Sequence, residues 1–354
     1  MALRSNHQRA VTLRELAREV GVSPSTVSRV LNRDPNVRVS ATSRSRILDL
    51  AAAKGYRPNR LARSLKLQRT NVIGMLIPDI TNPLFSALFR AVDEVASAAG
   101  YHVILCNTGD SGVRLQQHLE ALSEGHVDGL LIATARRSDP VIETLRVRRL
   151  PYILVSRRSD SSAEAWVIPD DRRGAHLAVK HLVQLGHRRI AHIAGFMEVS
   201  RSSDRLEGYR EAMDSFNLEP LVWLTPAAGL DEAAGEMGLK ELLKSSTRPT
   251  AIFTANDLAA VGVIAHARQL GLAVPRDLSV IGCDDIPMSK HIEPALTTVR
   301  YPFEAVGQLA TGYLIRHIAG EAREDESPPQ IALPLELIVR QSTANRDEKF
   351  SITT

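Results

Sequence analysis

From Thr12 onward apolar positions recur at helical spacing, Leu13, Leu16, Ala17 and Val20, until Gly21 ends the run where a positive φ is cheap. Thr12 and Glu15 stand three residues apart at its head, the spacing of a capping box in which each side chain satisfies the other's free N–H. Ser23-Pro24 then offers a cap and a first-turn proline to a second helix. Its apolar face is Val27, Val30 and Leu31, and Pro24, Ser25, Ser28 and Arg29 are left outward. A third helix is predicted from Ser40 to Lys54, with Ile47, Leu50 and Ala51 inward and Gly55-Tyr56 closing it. Two short helices across a tight glycine turn predict a helix-turn-helix, whose second helix enters a DNA major groove by its N-terminus.

Past Asn71 the pattern changes. Val72 to Pro78 is a short apolar run suited to a buried parallel strand, and Leu84 to Gly100 is amphipathic. Tyr101 to Cys106 is a second strand, and the series continues through Val127–Ala133, Tyr152–Ser156, Arg189–Gly195, Ala251–Ala255 and Ser279–Cys283. Strands spaced by helices predict parallel sheets with crossover helices. The segment is too long for one sheet, so two similar α/β halves with a cleft between them are expected.

Charge sharpens the division. The chain of 354 residues carries a net charge of only +4. Fifteen of its basic residues and four of its acids precede position 70, leaving that segment at +11 and the remainder at −7. A basic module on a mildly acidic body is the footprint of a phosphate-backbone binder. Residues 1–20 hold no continuous apolar stretch of the signal-peptide kind, and nothing in the chain approaches the ~20 apolar residues of a membrane span. A cytoplasmic protein with no membrane partner is expected, associated with the nucleoid when bound to DNA. Cys106 and Cys283 stand alone, without the spacing of a disulfide framework or a metal site. GxSxG, HExxH, P-loop and GxGxxG motifs are missing, and the pairs Asp170-Asp171 and Asp284-Asp285 are sequence neighbours rather than the opposed arms of a glycosidase site. Neither catalysis nor a cofactor or metal is expected. An extracellular solute-binding protein would suit the core, but not the basic head.

After the third helix comes a short basic helix candidate, Pro58 to Lys66, with one exposed leucine. Val22-Ser23-Pro24-Ser25-Thr26-Val27-Ser28-Arg29-Val30-Leu31-Asn32, followed by Gly55-Tyr56-Arg57-Pro58-Asn59 and Leu61-Ala62-Arg63-Ser64-Leu65, resembles the head and hinge of the LacI/GalR repressor family, in the same order and spacing. The resemblance extends over nearly the whole chain. It implies an α-helical helix-turn-helix head plus an α/β two-lobed, periplasmic-binding-protein-like core of two parallel-sheet, Rossmann-like subdomains. Residues 1–57 would be the head, 58–69 the hinge helix, 70–168 with 299–332 the N-terminal subdomain, 169–298 with 333–345 the C-terminal subdomain, and 346–354 a flexible tail. The chain would cross between subdomains near Ile168-Pro169, Thr298-Val299 and Ala332-Leu333.

The resemblance also implies roles. Pro24, Ser25 and Arg29 match positions that read base edges, while Ser23, Thr26 and Ser28 match phosphate contacts, Asn32 a position near the backbone, and Thr12 is a further DNA-binding candidate. Asn59, Leu61, Ala62 and Lys66 fall in the hinge, and Leu65 matches the leucine that wedges into the minor groove. The alternative for Leu65 is a linker leucine packed on the core. Ala41 and Thr42 depart from the acids common there, which removes some macrodipole support from the third helix. In the core, loops beyond the strands supply candidate effector contacts: Asp79, Asn82 and Phe85, then Asn107 and Asp110, then Ser156 and Arg157. Arg205 matches the residue that grips effector oxygens, and Asn256 and Asp284 are the matching hydrogen-bonding pair. Asp257 and Asp285 are equally placed to cap the following helices, and His187 matches a structural turn. Cys283 stands where an aromatic is usual and Ser156 where an acid is usual, while Arg157 and Arg158 add positive charge. The implied function is a homodimeric repressor, a tetramer remaining open, on double-stranded, near-palindromic operator DNA. A small-molecule effector would control it, sugar-like or an acidic or phosphorylated derivative. Control by a phosphoprotein partner is the alternative, but Gly312 stands where that mode needs an arginine.

Overall fold

The computed structural model describes residues 11–32, 34, 36–56, 69–148, 150–226, 230–321 and 327–346, which fall into two compact units divided after Thr70. In the smaller unit α1 (Leu13–Val20) opens with the capping box in full. Thr12 N–H donates to Glu15 Oε2 at 2.8 Å, and Glu15 N–H donates to Thr12 Oγ1 at 3.3 Å. Gly21, at φ 79°, closes the helix in the left-handed region that a glycine enters freely. α2 (Pro24–Leu31) is capped by Ser23, whose Oγ accepts from Thr26 N–H at 3.1 Å. The predicted limits of the third helix, Ser40 and Lys54, are the two caps of α3 (Ala41–Ala53). Leu16, Ala17, Val27, Val30, Ile47 and Ala51 bury one another at the centre, and Lys54 pairs with Glu19 to hold α3 against α1.

The larger unit holds two six-stranded sheets among the described residues. The first contains β1 (Val72–Ile77), β2 (His102–Asn107), β3 (Gly129–Ile132), β4 (Tyr152–Val155), β5 (Trp166–Pro169) and β11 (Gln330–Leu333), ordered β11-β5-β4-β3-β1-β2. The second contains β6 (Ile190–Ala194), β7 (Leu221–Leu224), β8 (Ala251–Thr254), β9 (Ser279–Asp284), β10 (Thr297–Arg300) and β12 (Glu336–Ile338), ordered β12-β10-β9-β8-β6-β7. Every pairing is parallel except that of β10 with β12. β1 and β9 are buried almost throughout, as strands covered on both faces must be.

Helices supply that cover. α4 (Pro83–Ala98) and α11 (Phe303–Ala319) lie on one face of the first sheet, with α5 (Gly112–Ser123) and α6 (Pro140–Arg148) on the other. α7 (Asp171–Gln184) and α8 (Ser200–Ser215) cover one face of the second sheet, α9 (Glu232–Lys244) and α10 (Asp257–Gln269) the other. The chain changes sheet after Pro169, Arg300 and Leu333, each within two residues of the crossings placed on the sequence.

α9 and α10 meet backbone to backbone. A Cβ on Gly262 would lie 1.9 Å from the Glu232 carbonyl oxygen, and one on Gly235 would lie 1.9 Å from that of Ala259. A carbonyl cannot rotate away as a side-chain tip can. Gly262→Ala should therefore force the helices apart at a cost of about 1–3 kcal/mol, read as a lower urea midpoint for the core. Gly112→Ala, whose new Cβ meets nothing within 4 Å, should leave the midpoint where it was.

Candidate functional site

The exposed N-terminal turn of α2 is the first candidate. Ser23, Pro24, Ser25 and Arg29 face solvent, with Thr26 and Ser28 half-buried beside them. The Ser23 hydroxyl lies 2.8 Å from those of both Ser25 and Thr26, which fixes the turn's polar groups relative to one another. Arg29 is 63% exposed, with only a loose 3.7 Å approach to Asp34. Such a pair is worth little in water and is readily exchanged for another acceptor. Asn32 is more committed: its Nδ2 donates to Ser28 O at 2.7 Å and finishes the last turn of α2. Thr12 caps α1. Asn59, Leu61, Ala62, Leu65 and Lys66 lie outside the described residues.

The second candidate is a cavity of about 320 Å³ between the two sheets of the larger unit, beyond the carboxyl ends of their strands. Asp79, Asn82, Phe85, Asp110 and Arg157 line it from the first lobe, and Phe196, Arg201, Arg205, Asn256 and Asp284 from the second. Its floor is an ion network. Arg201 Nε donates to Asp171 Oδ2 at 3.1 Å and its Nη2 to Asp284 Oδ1 at 2.9 Å. Arg205, one turn later on α8, donates through Nε to Asp171 Oδ1 at 2.8 Å and through Nη1 to the Ala255 carbonyl. All four side chains are at least nine-tenths buried. Burial pushes the Asp284 carboxyl up, and the two arginines pull it back. Burial also works to lower Arg201, but Asp171 and Asp284 prevail and hold its guanidinium well above the ordinary value. Arg201 further stacks over the Tyr301 ring at 4.9 Å.

On the opposite wall Arg157 grips Asp110 with two parallel bonds, 2.6 and 3.1 Å. Asn82 Oδ1 caps α4 through Leu84 N–H at 3.0 Å, and its NH2 has no partner among the described residues. Asp79 holds its own loop, accepting from the Thr81 N–H and hydroxyl at 2.9 and 2.8 Å. Phe85 and Phe196 bring aromatic surface from opposite lobes.

Several expected contacts do not face this space. Asn107 is not part of the lining; its Oδ1 accepts from Ile80 N–H at 3.1 Å and braces the Asp79 loop. Ser156 is also outside the lining, 1% exposed, and holds φ at 64° where β4 ends. Asn256 borders the cavity with both ends of its amide engaged, Oδ1 with Ala259 N–H at 2.8 Å and Nδ2 with Leu230 O at 2.7 Å. It is therefore Asn256, not Asp257, that caps α10. Asp257 instead takes bonds from Ser289 and Thr298, both at 2.5 Å, and from Ile286 N–H at 2.9 Å. Burial, with the nearby Asp284, pushes its carboxyl up to about 7. Asp285 caps no helix but pairs with Arg300 at 2.8 Å and Arg340 at 2.5 Å. His187 bridges the Thr250 and Ser279 hydroxyls at 3.0 Å each, a structural post.

Three contributors escape a motif-based reading: Arg201, Asp171 and Phe196. Arg201 had a signal, since it precedes Arg205 by one helical turn and must share its face. Burial pushes the Cys283 thiol up, so it packs as a neutral side chain rather than acting as a nucleophile or metal ligand.

One side of the cavity is bridged by direct bonds between lobes. Arg136 Nη1 donates to Glu198 Oε2 and Arg137 N–H to Glu198 O, both at 2.9 Å. Arg158 N–H donates to Ser200 Oγ at 2.9 Å, and its guanidinium binds Asp204 at 2.8 and 3.1 Å. Arg157 and Arg158, which as a sequence pair suggested an acidic ligand, are thus each neutralised by an aspartate.

Comparison with known proteins gives two profile matches. That of bacterial regulatory proteins of the lacI family covers residues 12–59, and that of the periplasmic binding protein-like domain covers residues 179–343. The ribose operon repressor of Escherichia coli (strain K12) is 37% identical over 310 residues, 87% of this chain and 93% of that protein. The crystal structure of the lac repressor dimer bound to operator and the anti-inducer ONPF superposes with a TM-score of 0.84 at 27% identity, covering 95% of this chain and all of that one. A LacI family transcriptional regulator from Enterococcus faecium with bound ribose gives a TM-score of 0.68 at 31% identity, over 77% of this chain and 99% of the other.

The Asp204 carboxyl is pushed up to about 6, by burial first and against the pull of Arg158. A carboxyl raised above its ordinary 3.8 favours the folded state in acid, and that advantage disappears as pH rises through about 6. The stability of the native protein relative to Asp204→Asn should therefore fall between about pH 4 and 6 and then level off, as followed by urea unfolding across that range. A difference that grows with pH would contradict the assignment.

Proposed function

The chain belongs to the LacI family of bacterial regulatory proteins, and on that premise we propose that it represses transcription as a homodimer on a near-palindromic operator, switched by a small neutral sugar in the interlobe cavity. The observation that carries the ligand class is the chemistry of the cavity wall. Every guanidinium of the wall is already matched by a carboxylate, and Asp79, Asp231 and Glu232 add negative charge, so no cation awaits an anion, while the remaining lone pairs and N–H groups, with the Asn82 amide, suit vicinal hydroxyls. Phe85 and Phe196, one from each lobe, suit the apolar faces of a sugar ring. Ribose is the first candidate, because a relative 37% identical to this chain is a ribose operon repressor and a solved relative holds ribose.

In this reading residues 1–57 form the reading head and 58–69 the hinge. Pro24, Ser25 and Arg29 read base edges, and Thr12, Ser23, Thr26 and Ser28 position the head on phosphates. Asn59, Leu61, Ala62, Leu65 and Lys66 belong to the hinge, with Leu65 as its minor-groove wedge. A ligand touching both lobes changes their separation, and through it the spacing of the two heads. The sign of the response follows from which state binds ligand better.

The direct test uses full-length protein and a duplex selected from a random pool. Saturating ribose should shift operator affinity by about tenfold or more in fluorescence anisotropy, within the usual range of allosteric coupling. No response to ribose or to a panel of pentoses and hexoses would sink the ligand class. Arg205→Ala should abolish the response while operator binding persists. Arg29→Ala should cost about 1–3 kcal/mol on the selected duplex and relax preference at one base pair. An equal loss on every sequence would make Arg29 a phosphate contact instead.

A further inference from the structure

At the opposite end of the second sheet from the interlobe cavity, β6, β8 and β9 begin and α9 and α10 finish. A cavity of about 690 Å³ lies there, more than twice the volume of the first. Its wall carries five cations, Arg189, Lys240, Lys244, Arg248 and Arg346, against the carboxylates of Glu241 and Asp277. The lysines are partly occupied, Lys240 by Glu236 at 2.5 Å and Lys244 by Glu241 at 2.7 Å. Asp277 is held below the ordinary carboxylate range, chiefly by its bond from Arg276 and in smaller part by Arg346. Arg189 and Arg248 are exposed and their guanidiniums make no ion pair or hydrogen bond among the described residues. The carboxyl ends of α9 and α10 bring about half a negative charge each, which the two uncommitted guanidiniums outweigh.

Between those cations the surface is apolar, with Leu243, Leu272 and Leu278 around Leu270, which is 49% exposed. A histidine adds a polar group to this wall. His266 lines the cavity with a side chain only 8% exposed. Its Nδ1 lies 3.0 Å from Gln269 Oε1, yet its buried Nε2 has no partner.

We propose that this cavity is a second ligand site, taking a small organic anion with an apolar body. Its carboxylate, sulfonate or phosphate group lies between Arg189 and Arg248, and its apolar part covers Leu243 and Leu270. The volume is that of a metabolite-sized site. The site shares no residue with the interlobe cavity, so the two can be occupied together.

Anilinonaphthalene sulfonate is an anion of this description, and N-phenylnaphthylamine is the same aromatic body without the charge. Titrated into the full-length protein, the anionic dye should saturate, and the double variant Arg189→Glu, Arg248→Glu should bind it at least about tenfold more weakly. Both positions are exposed, so the variant should unfold at the wild-type temperature. The neutral dye should bind more weakly and respond little to the variant. Unchanged affinity of the anionic dye for the double variant would overturn the proposal. Equal binding of the two dyes to the wild-type protein would do the same.

Discussion

Two arginines and two aspartates, buried together where the lobes meet, set the terms for the core. Taking a single charge out of water costs several kcal/mol even after the protein relaxes, so no one of Arg201, Arg205, Asp171 and Asp284 could occupy this position alone. Each is admitted by the others, and their bonds tie the start of α7, two turns of α8 and the end of β9. Those are also the elements that bound the cavity from the second lobe. Removing one member strands the rest, whereas a hydroxyl-bearing ligand can share their lone pairs and protons without unbalancing the charge.

The same logic explains why the opposite wall does not become a sink for anions. Arg157 and Arg158 are adjacent in sequence, but Asp110 takes one within the first lobe and Asp204 takes the other across the gap. One aspartate therefore shapes the wall, and the other holds the two lobes in contact. Backbone strain concentrates in the same region. Ser156, Asp284 and Asp285 hold positive φ at strand ends, at a cost of about 1–3 kcal/mol each that the surrounding packing must sustain.

The reading head was legible almost residue by residue, because each of its signals is local. A capping box, a glycine stop and a serine-proline start each act over no more than about four residues. The apolar runs of β1, β3, β8 and β9 were legible too. The strands β5, β7, β10, β11 and β12 are only three or four residues long, too short for an apolar run to stand out even where, as in β5 and β7, the residues are apolar, and only the family resemblance placed crossings near three of them. Asn256 and Asp257 show where local reading fails. Both are sound caps by residue type, and the choice between them is made by Leu230 on one side and by Ser289 and Thr298 on the other. Arg201 and Asp171 became site residues through contacts that span 30 to 83 positions of sequence, and no spacing rule sees that.

The three crossings have a consequence for biosynthesis. β11 completes the first sheet at residues 330–333, and residues 340–344 complete the second lobe, where Ser342 Oγ donates to Val280 O and Ala344 N–H donates to Ser279 Oγ. Neither lobe can close until nearly the whole described chain has left the ribosome, while residues 11–56 contain every contact of the head's own core. The module that meets DNA can thus form during translation, well before the module that would govern it. A ribosome that stalls midway would leave a nascent chain with a finished head and no sensor.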